Sequence, residues 1–127
     1  MARALQLFMP GKPQIWYLDL FAGKNDHEAV KKAGAAGHKE INRTNLSTEQ
    51  MEQALHKEVV RKQLNMLRFR TRFPAFSFDS EISVDVQGSC MTFEWKKAGY
   101  IAVLKADLWD MSYEIKGTAP NGEILEE

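Results

Sequence analysis

Residues 82–115 read ISVDVQGSCMTFEWKKAGYIAVLKADLWDMSYEI and carry the clearest structural pattern of the sequence. Apolar and polar residues alternate along it in four runs, with turn signals at Gly88-Ser89 and Lys97-Ala98-Gly99. The apolar members are Ile82, Val84 and Val86; Met91, Phe93 and Trp95; Tyr100, Ala102 and Leu104; and Trp109, Met111, Tyr113 and Ile115. A period of two places them on one face of each strand. We therefore predict an antiparallel meander with one apolar face, to which Ile124 and Leu125 could add a short edge strand.

A helical segment precedes the meander. Ser47-Thr48-Glu49-Gln50 fits a capping box, and apolar residues then recur at near-helical spacing to about Arg70. Pro74 forbids continuation past Phe73, and a break near His56-Lys57-Glu58 is possible because no apolar residue occurs there. This helix is the natural cover for the sheet. If it packs there, Trp95 should be buried together with Leu55 or Val59.

Basic side chains crowd the same helix. They are Arg61, Lys62, Arg68, Arg70 and Arg72. A solvated helix face is the favoured interpretation, and a site for phosphate or an acidic partner is the alternative.

The N-terminal region is harder to place in a self-contained fold. Residues 2–9 suit a helix that Pro10-Gly11 ends. Gln14–Leu18 is a continuous apolar run, which is typical of a strand buried on both faces of a sheet. Such a strand needs neighbours, yet the next alternating run begins only at Ile82. We therefore expect the segment to be a strand of a larger sheet.

Composition excludes several classes of function. The chain has 127 residues, 44% of them hydrophobic, and its 17 basic residues balance 17 acidic ones. Zero net charge argues against nucleic acid or an anionic membrane surface as the main partner. The lone Cys90 suits a reducing cytoplasm, and no apolar run reaches the roughly 20 residues of a membrane span. We expect a cytoplasmic protein without a signal peptide, a metal site or a cofactor.

Residues 10–46 carry a resemblance to a known family. PGKPQIWYLDLFAGKND, followed by GHKEINRTNLS, resembles the eighth strand and following loop of the sucrose-phosphorylase-like, including glucosylglycerate-phosphorylase-like, branch of the α-amylase family. AGKND and EINR are its most specific motifs. The resemblance implies an α+β chain with three parts. These are a barrel remnant at 1–46 (the end of helix seven, strand eight and its loop), a helical segment at 47–73 and an antiparallel β domain at 74–127.

The same resemblance implies a retaining glycoside phosphorylase that acts on an α-glucoside, with inorganic phosphate as co-substrate. A retaining mechanism needs two carboxyl groups about 5 Å apart. The family's catalytic carboxylates would precede Met1, and the spacing of Asp19, Asp26 and Glu28 marks no catalytic pair. We therefore expect no catalytic residue in this chain and no activity from it alone.

By resemblance, Lys39 occupies the position of a basic residue that helps hold the glucosyl ring, and Asn25 and Asp26 lie at the substrate end of the barrel. Arg43 and Asn42 are expected to stabilise the loop. His38-Lys39-Glu40 stands where sucrose phosphorylases would have Arg-Asp. This departure favours an acidic acceptor such as glucosylglycerate.

Two further expectations remain open. A free-standing, non-catalytic α+β module for binding or assembly is the alternative to a portion of a larger enzyme. The unpaired segment before Ala22 also predicts a homo-oligomer through residues 1–21, since exposed strand edges and apolar patches recruit cover.

Overall fold

The computed structural model describes residues 1–126. The helices are α1 (Ala2–Phe8), α2 (Tyr17–Leu20), α3 (His27–Ala33), a 3-10 helix (Gly34–Glu40), α4 (Thr48–Leu55) and α5 (Glu58–Arg72). The strands are β1 (Glu81–Gln87), β2 (Cys90–Lys97), β3 (Tyr100–Asp107), β4 (Ser112–Thr118) and β5 (Ile124–Glu126). The α+β class and the antiparallel meander are confirmed. No helix within residues 1–126 has the length and apolar character that crossing a membrane requires.

The five strands form one antiparallel sheet in sequence order, with β5 at one edge as expected. Trp95 lies opposite Ala102, which lies opposite Gly117. The fourth strand begins later than predicted, because Trp109 and Met111 belong to the preceding turn. Asp107 Oδ1 accepts the Trp109 backbone N–H at 2.8 Å, and this local bond favours a turn over a ladder.

The chain divides into two compact units. The first consists of residues 1–13 together with the chain from residue 65 onward, and the second is Gln14–Leu64. The three sequential parts expected from the resemblance stay a prediction. Within the first unit, α1 packs with the β domain, which lies far along the chain. The indole N–H of Trp95 donates to the Phe8 carbonyl at 2.8 Å across that separation.

The first unit has an apolar core between the sheet and its helical cover. The buried side chains that fill it include Leu7, Phe8, Phe93, Trp95, Leu104 and Ile115. Phe69 and Phe73 stack with ring centroids 4.9 Å apart, and a Cβ on Gly117 would meet these rings at 2.9–3.0 Å. Glycine at this position therefore lets the two rings lie directly against β4.

Arg70 departs from the expected solvated helix face. Its guanidinium lies 4.3 Å from the Phe76 ring centroid and 4.5 Å from that of Trp95. Its Nε donates to the Leu7 carbonyl at 2.8 Å, and Nη2 donates to Gly11 at 3.2 Å. Partial burial lowers the pKa of this guanidinium from its usual value. Arg70 thus ties α5 to the end of α1.

Two expectations for the second unit are wrong. Gln14–Leu18 is not a strand: Tyr17–Leu20 is a short helix, and Leu20 N donates to the Trp16 carbonyl at 3.0 Å. All strands of the described chain lie between residues 81 and 126, so this segment has no neighbouring strand with which to pair. Its backbone N–H and C=O groups form hydrogen bonds within the segment instead. Its buried anchor is Leu18.

The second correction concerns the helix face. The capping box is present, with Gln50 N donating to Ser47 Oγ at 3.2 Å and Ser47 N donating to Gln50 Oε1 at 2.8 Å. However, Leu55 is 43% exposed and Val59 is 52% exposed, while Ala54 and Val60 are buried. The break between α4 and α5 shifts the helical phase, so a single period run through it selects the wrong residues.

Candidate functional site

In the second unit, one backbone hydrogen bond and one side-chain hydrogen bond close the loop that carries the AGKND and EINR motifs. Asp26 N donates to the Ile41 carbonyl at 2.7 Å, and Thr44 Oγ1 donates to the Lys24 carbonyl at 3.1 Å. Asp26 also caps α3, because its Oδ1 accepts the Ala29 N–H at 2.8 Å. The two motifs are thereby brought side by side.

Aromatic side chains anchor the returning arm of this loop. The Trp16 indole N–H donates to the Asn42 carbonyl at 2.8 Å, and the Tyr17 hydroxyl donates to the Thr44 carbonyl. The segment expected to be a strand therefore holds the loop through its side chains.

The small residues of Gly34-Ala35-Ala36-Gly37 have a packing role. Gly37 is buried, and a Cβ there would lie 2.7 Å from both the Ala33 Cβ and the Val30 carbonyl oxygen. Such a close approach is open only to glycine. It lets the 3-10 helix pack against α3, and this helix carries Lys39.

The residues expected to bind substrate lie on this closed loop. Lys39 and Asn25 are exposed, and Asp26 is half-buried. Within the described part of the chain, neither Lys39 nor Asn25 makes a side-chain hydrogen bond or ion pair, whereas the Asp26 carboxylate is committed to capping α3. The structure brings Asn25 and Asp26 next to the arm that contains Ile41, and among the described residues it shows no hydrogen bond or ion pair between them and Lys39. Their substrate-binding roles stay predictions.

The two residues expected to stabilise the loop act on it locally. Arg43 Nη1 lies 3.2 Å from Glu40 Oε1, and Arg43 N donates to the Glu40 carbonyl at the same distance. Asn42 takes part through its backbone carbonyl rather than its amide side chain. These contacts favour the structural roles, which no comparison tests.

A small cavity of about 270 Å³ adjoins the loop, with Gly23, Lys24, Leu46 and Gln50 in its wall. Lys57 also lines it and donates from Nζ to the Ala22 carbonyl at 3.2 Å. Sequence reasoning missed Lys57, because it falls in the helix break and matches no motif.

Gln63 was also missed, although it braces the same region. Its buried side chain donates from Nε2 to the Asp19 and Leu20 carbonyls, both at 3.3 Å. A polar residue at a buried helix position was the available signal, since buried amides need partners.

The acidic side chains of the loop have structural partners. Glu28 pairs with Lys31 at 2.7 Å, and Asp26 caps α3. In the chain up to residue 126, no three His, Cys, Asp or Glu side chains are grouped so as to hold a metal ion. Among the described residues, the loop therefore commits the Asp26 carboxylate to capping and the Glu28 carboxylate to an ion pair, and it leaves the side chains of Lys39 and Asn25 exposed.

The antiparallel sheet with its helical cover matches the C-terminal domain of sucrose phosphorylases. No protein-family model matches the chain. A sucrose 6(F)-phosphate phosphorylase from Ilumatobacter coccineus is 51% identical over 108 residues, which cover 85% of this chain and 20% of that protein. A glucosylglycerol phosphorylase from Marinobacter adhaerens is 37% identical, with 84% of this chain and 22% of that protein covered.

A solved structure agrees with these relatives. The crystal structure of sucrose 6F-phosphate phosphorylase from Thermoanaerobacter thermosaccharolyticum superimposes with a TM-score of 0.87 and 38% identity, over 99% of this chain and 25% of that one. The chain spans about a fifth to a quarter of the length of these relatives. It belongs to the sucrose-phosphorylase-like branch of the α-amylase family and corresponds to a C-terminal portion of these enzymes.

Proposed function

We propose that this chain is the C-terminal portion of a retaining glycoside phosphorylase that transfers a glucosyl group from an α-glucoside to inorganic phosphate. The observation that carries the proposal is the homology, which extends over nearly the whole chain to enzymes that are themselves named as phosphorylases. The closed loop that contains AGKND and EINR is its contribution to the substrate pocket. A cytoplasmic location, as expected from the single exposed Cys90, is part of the same proposal.

The acceptor half of the substrate is proposed to be anionic. Lys39 is exposed and forms no ion pair with any of residues 1–126, so its charge is available to a phosphate or carboxylate. A lysine supplies a single point charge where arginine would supply a planar fork. Two of the relatives are named for sucrose 6(F)-phosphate, which has such a group, and glucosylglycerate would present a carboxylate instead.

The role of Lys39 can be tested in a chimera. This chain would replace the matching C-terminal quarter of the Thermoanaerobacter thermosaccharolyticum enzyme, whose structure it fits. Lys39→Met should raise the KM for sucrose 6F-phosphate by about tenfold, the size of a lost charged hydrogen bond. Lys32→Met is the matched control, because Lys32 is also exposed and its side chain makes no hydrogen bond or ion pair within the described residues. Equal kinetics for the two variants would refute the role of Lys39.

Alone, the chain is proposed to be catalytically incomplete. Its loop carboxylates are engaged in capping and ion pairing, and a retaining mechanism needs a nucleophile and an acid/base about 5 Å apart. The isolated protein, free of host enzymes, should release no glucose 1-phosphate from sucrose, sucrose 6F-phosphate or glucosylglycerol with phosphate. Turnover above that of a heat-killed sample would overturn this part of the proposal.

A free-standing binding or assembly module is the second candidate. The first unit favours it, because its sheet, α1 and the aromatic side chains of α5 form a core of their own. A gene in which an open reading frame of several hundred codons runs into Met1 would decide for the phosphorylase. A promoter directly before Met1 would decide for the module.

A further inference from the structure

A cleft of about 740 Å³ lies within the first unit, and the proposed function makes no use of it. One wall is formed by the C-terminal turns of α5, and the other by the turn that joins β4 to β5. Its apolar lining comes from Phe69, Phe73, Pro74, Tyr100, Pro120 and Leu125. A mainly apolar concavity of this size is typical of small-molecule sites.

The aromatic floor of the cleft is held in place by packing. Phe69 and Phe73 stack at 4.9 Å, and the Tyr100 ring meets Phe73 edge-on at 5.7 Å. Gly117 admits both phenylalanine rings against β4, as described above. Gly99 has a φ of +83°, and a Cβ there would meet Pro120 at 3.1 Å, so glycine also allows the rim to close on β3.

The opposite rim is a tight turn. Gly122 N donates to the Ala119 carbonyl and Ala119 N donates to the Glu123 carbonyl, both at 2.9 Å. Asn121 Oδ1 accepts the Glu123 N–H at 3.0 Å. Since the floor and this rim are fixed by backbone and ring contacts, the cleft is formed before any ligand arrives.

Two arginines give the cleft its charge. Arg68 and Arg72 line it from successive turns of α5, a spacing that puts their side chains on one helix face. Arg68 donates to Asn65 Oδ1 at 3.0 Å, and Arg72 has no side-chain partner among the described residues. Glu123 is the acidic lining residue, and the described chain pairs it with neither arginine. Two guanidinium groups beside apolar walls complement a ligand that has one anionic end.

We propose that this cleft binds a small amphipathic anion. Its apolar ring or short chain lies against Phe69, Tyr100 and Pro120, and its single phosphate or carboxylate is held by Arg68 and Arg72. Of the five basic residues of this helix, Arg70 then has a structural role, and Arg68 and Arg72 hold the ligand. The proposal stands independently of the phosphorylase function.

Calorimetric titration of the intact chain tests it with two probes, phenyl phosphate for a phosphate head and octanoate for a carboxylate head. At least one should bind with 1:1 stoichiometry and a Kd below about 1 mM, and the stronger probe identifies the head group. Inorganic phosphate, benzyl alcohol and glucose 1-phosphate should each bind at least about tenfold more weakly, because each lacks the anionic or the apolar half.

Variants that remove the charge of the cleft, variants that block it and control variants outside it show where the probe binds. Arg68→Gln combined with Arg72→Gln should weaken the stronger probe by about tenfold or more, and Ala119→Phe should block the cleft. Arg61→Gln removes an exposed arginine from the same helix and should change nothing, and Lys39→Met should also leave binding intact. Circular dichroism checks that each variant is folded. If Ala119→Phe does not fold, the arginine pair and Tyr100→Leu carry the test.

Four outcomes would overturn the proposal. The first is that neither probe shows saturable binding. The second and third are that inorganic phosphate or benzyl alcohol, or glucose 1-phosphate, binds as tightly as the probes. The fourth is that the folded protein without both arginines still binds the stronger probe as tightly as the native chain.

Discussion

Single side chains join distant parts of the first unit, and Asp79 does so with a pH signature. Lys97 Nζ lies 2.6 Å from Asp79 Oδ1, and the Ser77 hydroxyl donates to the same oxygen. The hydrogen bond from Lys97, followed by that from Ser77, lowers the pKa of the Asp79 carboxyl from 3.8 to about 2. This group links the segment before β1 to the end of β2.

The stabilisation from Asp79 should therefore depend on pH in a definite direction. A carboxyl whose folded-state pKa is lowered contributes fully above its unfolded value of 3.8, and the contribution is lost as the pH falls through about 2. The stability difference between the native chain and Asp79→Asn should be constant above about pH 5 and shrink towards pH 2. Urea unfolding at a series of pH values measures it. Asp85→Asn, on exposed strand β1, is the control. A difference that grows on acidification would contradict the assignment.

The role of a single residue can be predicted from sequence where a short motif has one structural meaning. It cannot be predicted where the residue's partners lie far along the chain. The capping box at Ser47 needs only four consecutive residues, and it is present. Arg70 was grouped with solvated residues because its partners, the carbonyls of Leu7 and Gly11, are about sixty positions away. Lys39, Asn25 and Asp26 became candidates through family resemblance, and no local pattern could have assigned them.

At the scale of elements, the sheet was predictable because alternation fixes which face each strand buries. The start of β4 was not predictable from this alternation. The turn at 108–111 is stabilised by aspartate side chains that accept hydrogen bonds from nearby backbone N–H groups. The strand expected at 14–18 failed for a different reason. Residues with a high strand propensity form a strand only where a neighbouring strand can pair with them. No such neighbour is available here, and local backbone hydrogen bonds form α2 instead.

Trp95 connects the elements of the first unit. It is 2% exposed, sits opposite Ala102 in the sheet, and its indole N–H donates to Phe8 of α1. Trp95→Ala should reduce the free energy of unfolding by about 3–5 kcal/mol, as large core truncations do. Urea unfolding followed by circular dichroism measures it. Trp109→Ala is the control, because that side chain is 87% exposed and should give a change within about 0.5 kcal/mol. A Trp95 effect below about 1 kcal/mol would contradict the described core.

For the whole molecule, self-association through residues 1–21 stays a prediction. Leu7, Phe8 and Leu18 are buried, whereas Met9 is 52% exposed and Trp16 is 45% exposed. We propose that the exposed Trp16 side chain meets its copy in a symmetric dimer, since isologous contacts use one patch twice. Trp16→Glu should then dissociate the dimer in light scattering, while Trp109→Glu should not. A native chain that stays monomeric at high concentration would contradict the proposal.

We propose that, in the whole enzyme, this chain supplies the C-terminal portion of a phosphorylase whose catalytic carboxylates lie elsewhere. The most direct measurement is the rate of glucose 1-phosphate release from sucrose 6F-phosphate and phosphate by the chimera with the Thermoanaerobacter thermosaccharolyticum enzyme. That enzyme without its C-terminal quarter, and this chain alone, are the two controls. We predict that both controls are inactive and that the chimera turns over. A folded, soluble chimera without turnover, or turnover by this chain alone, would contradict the account.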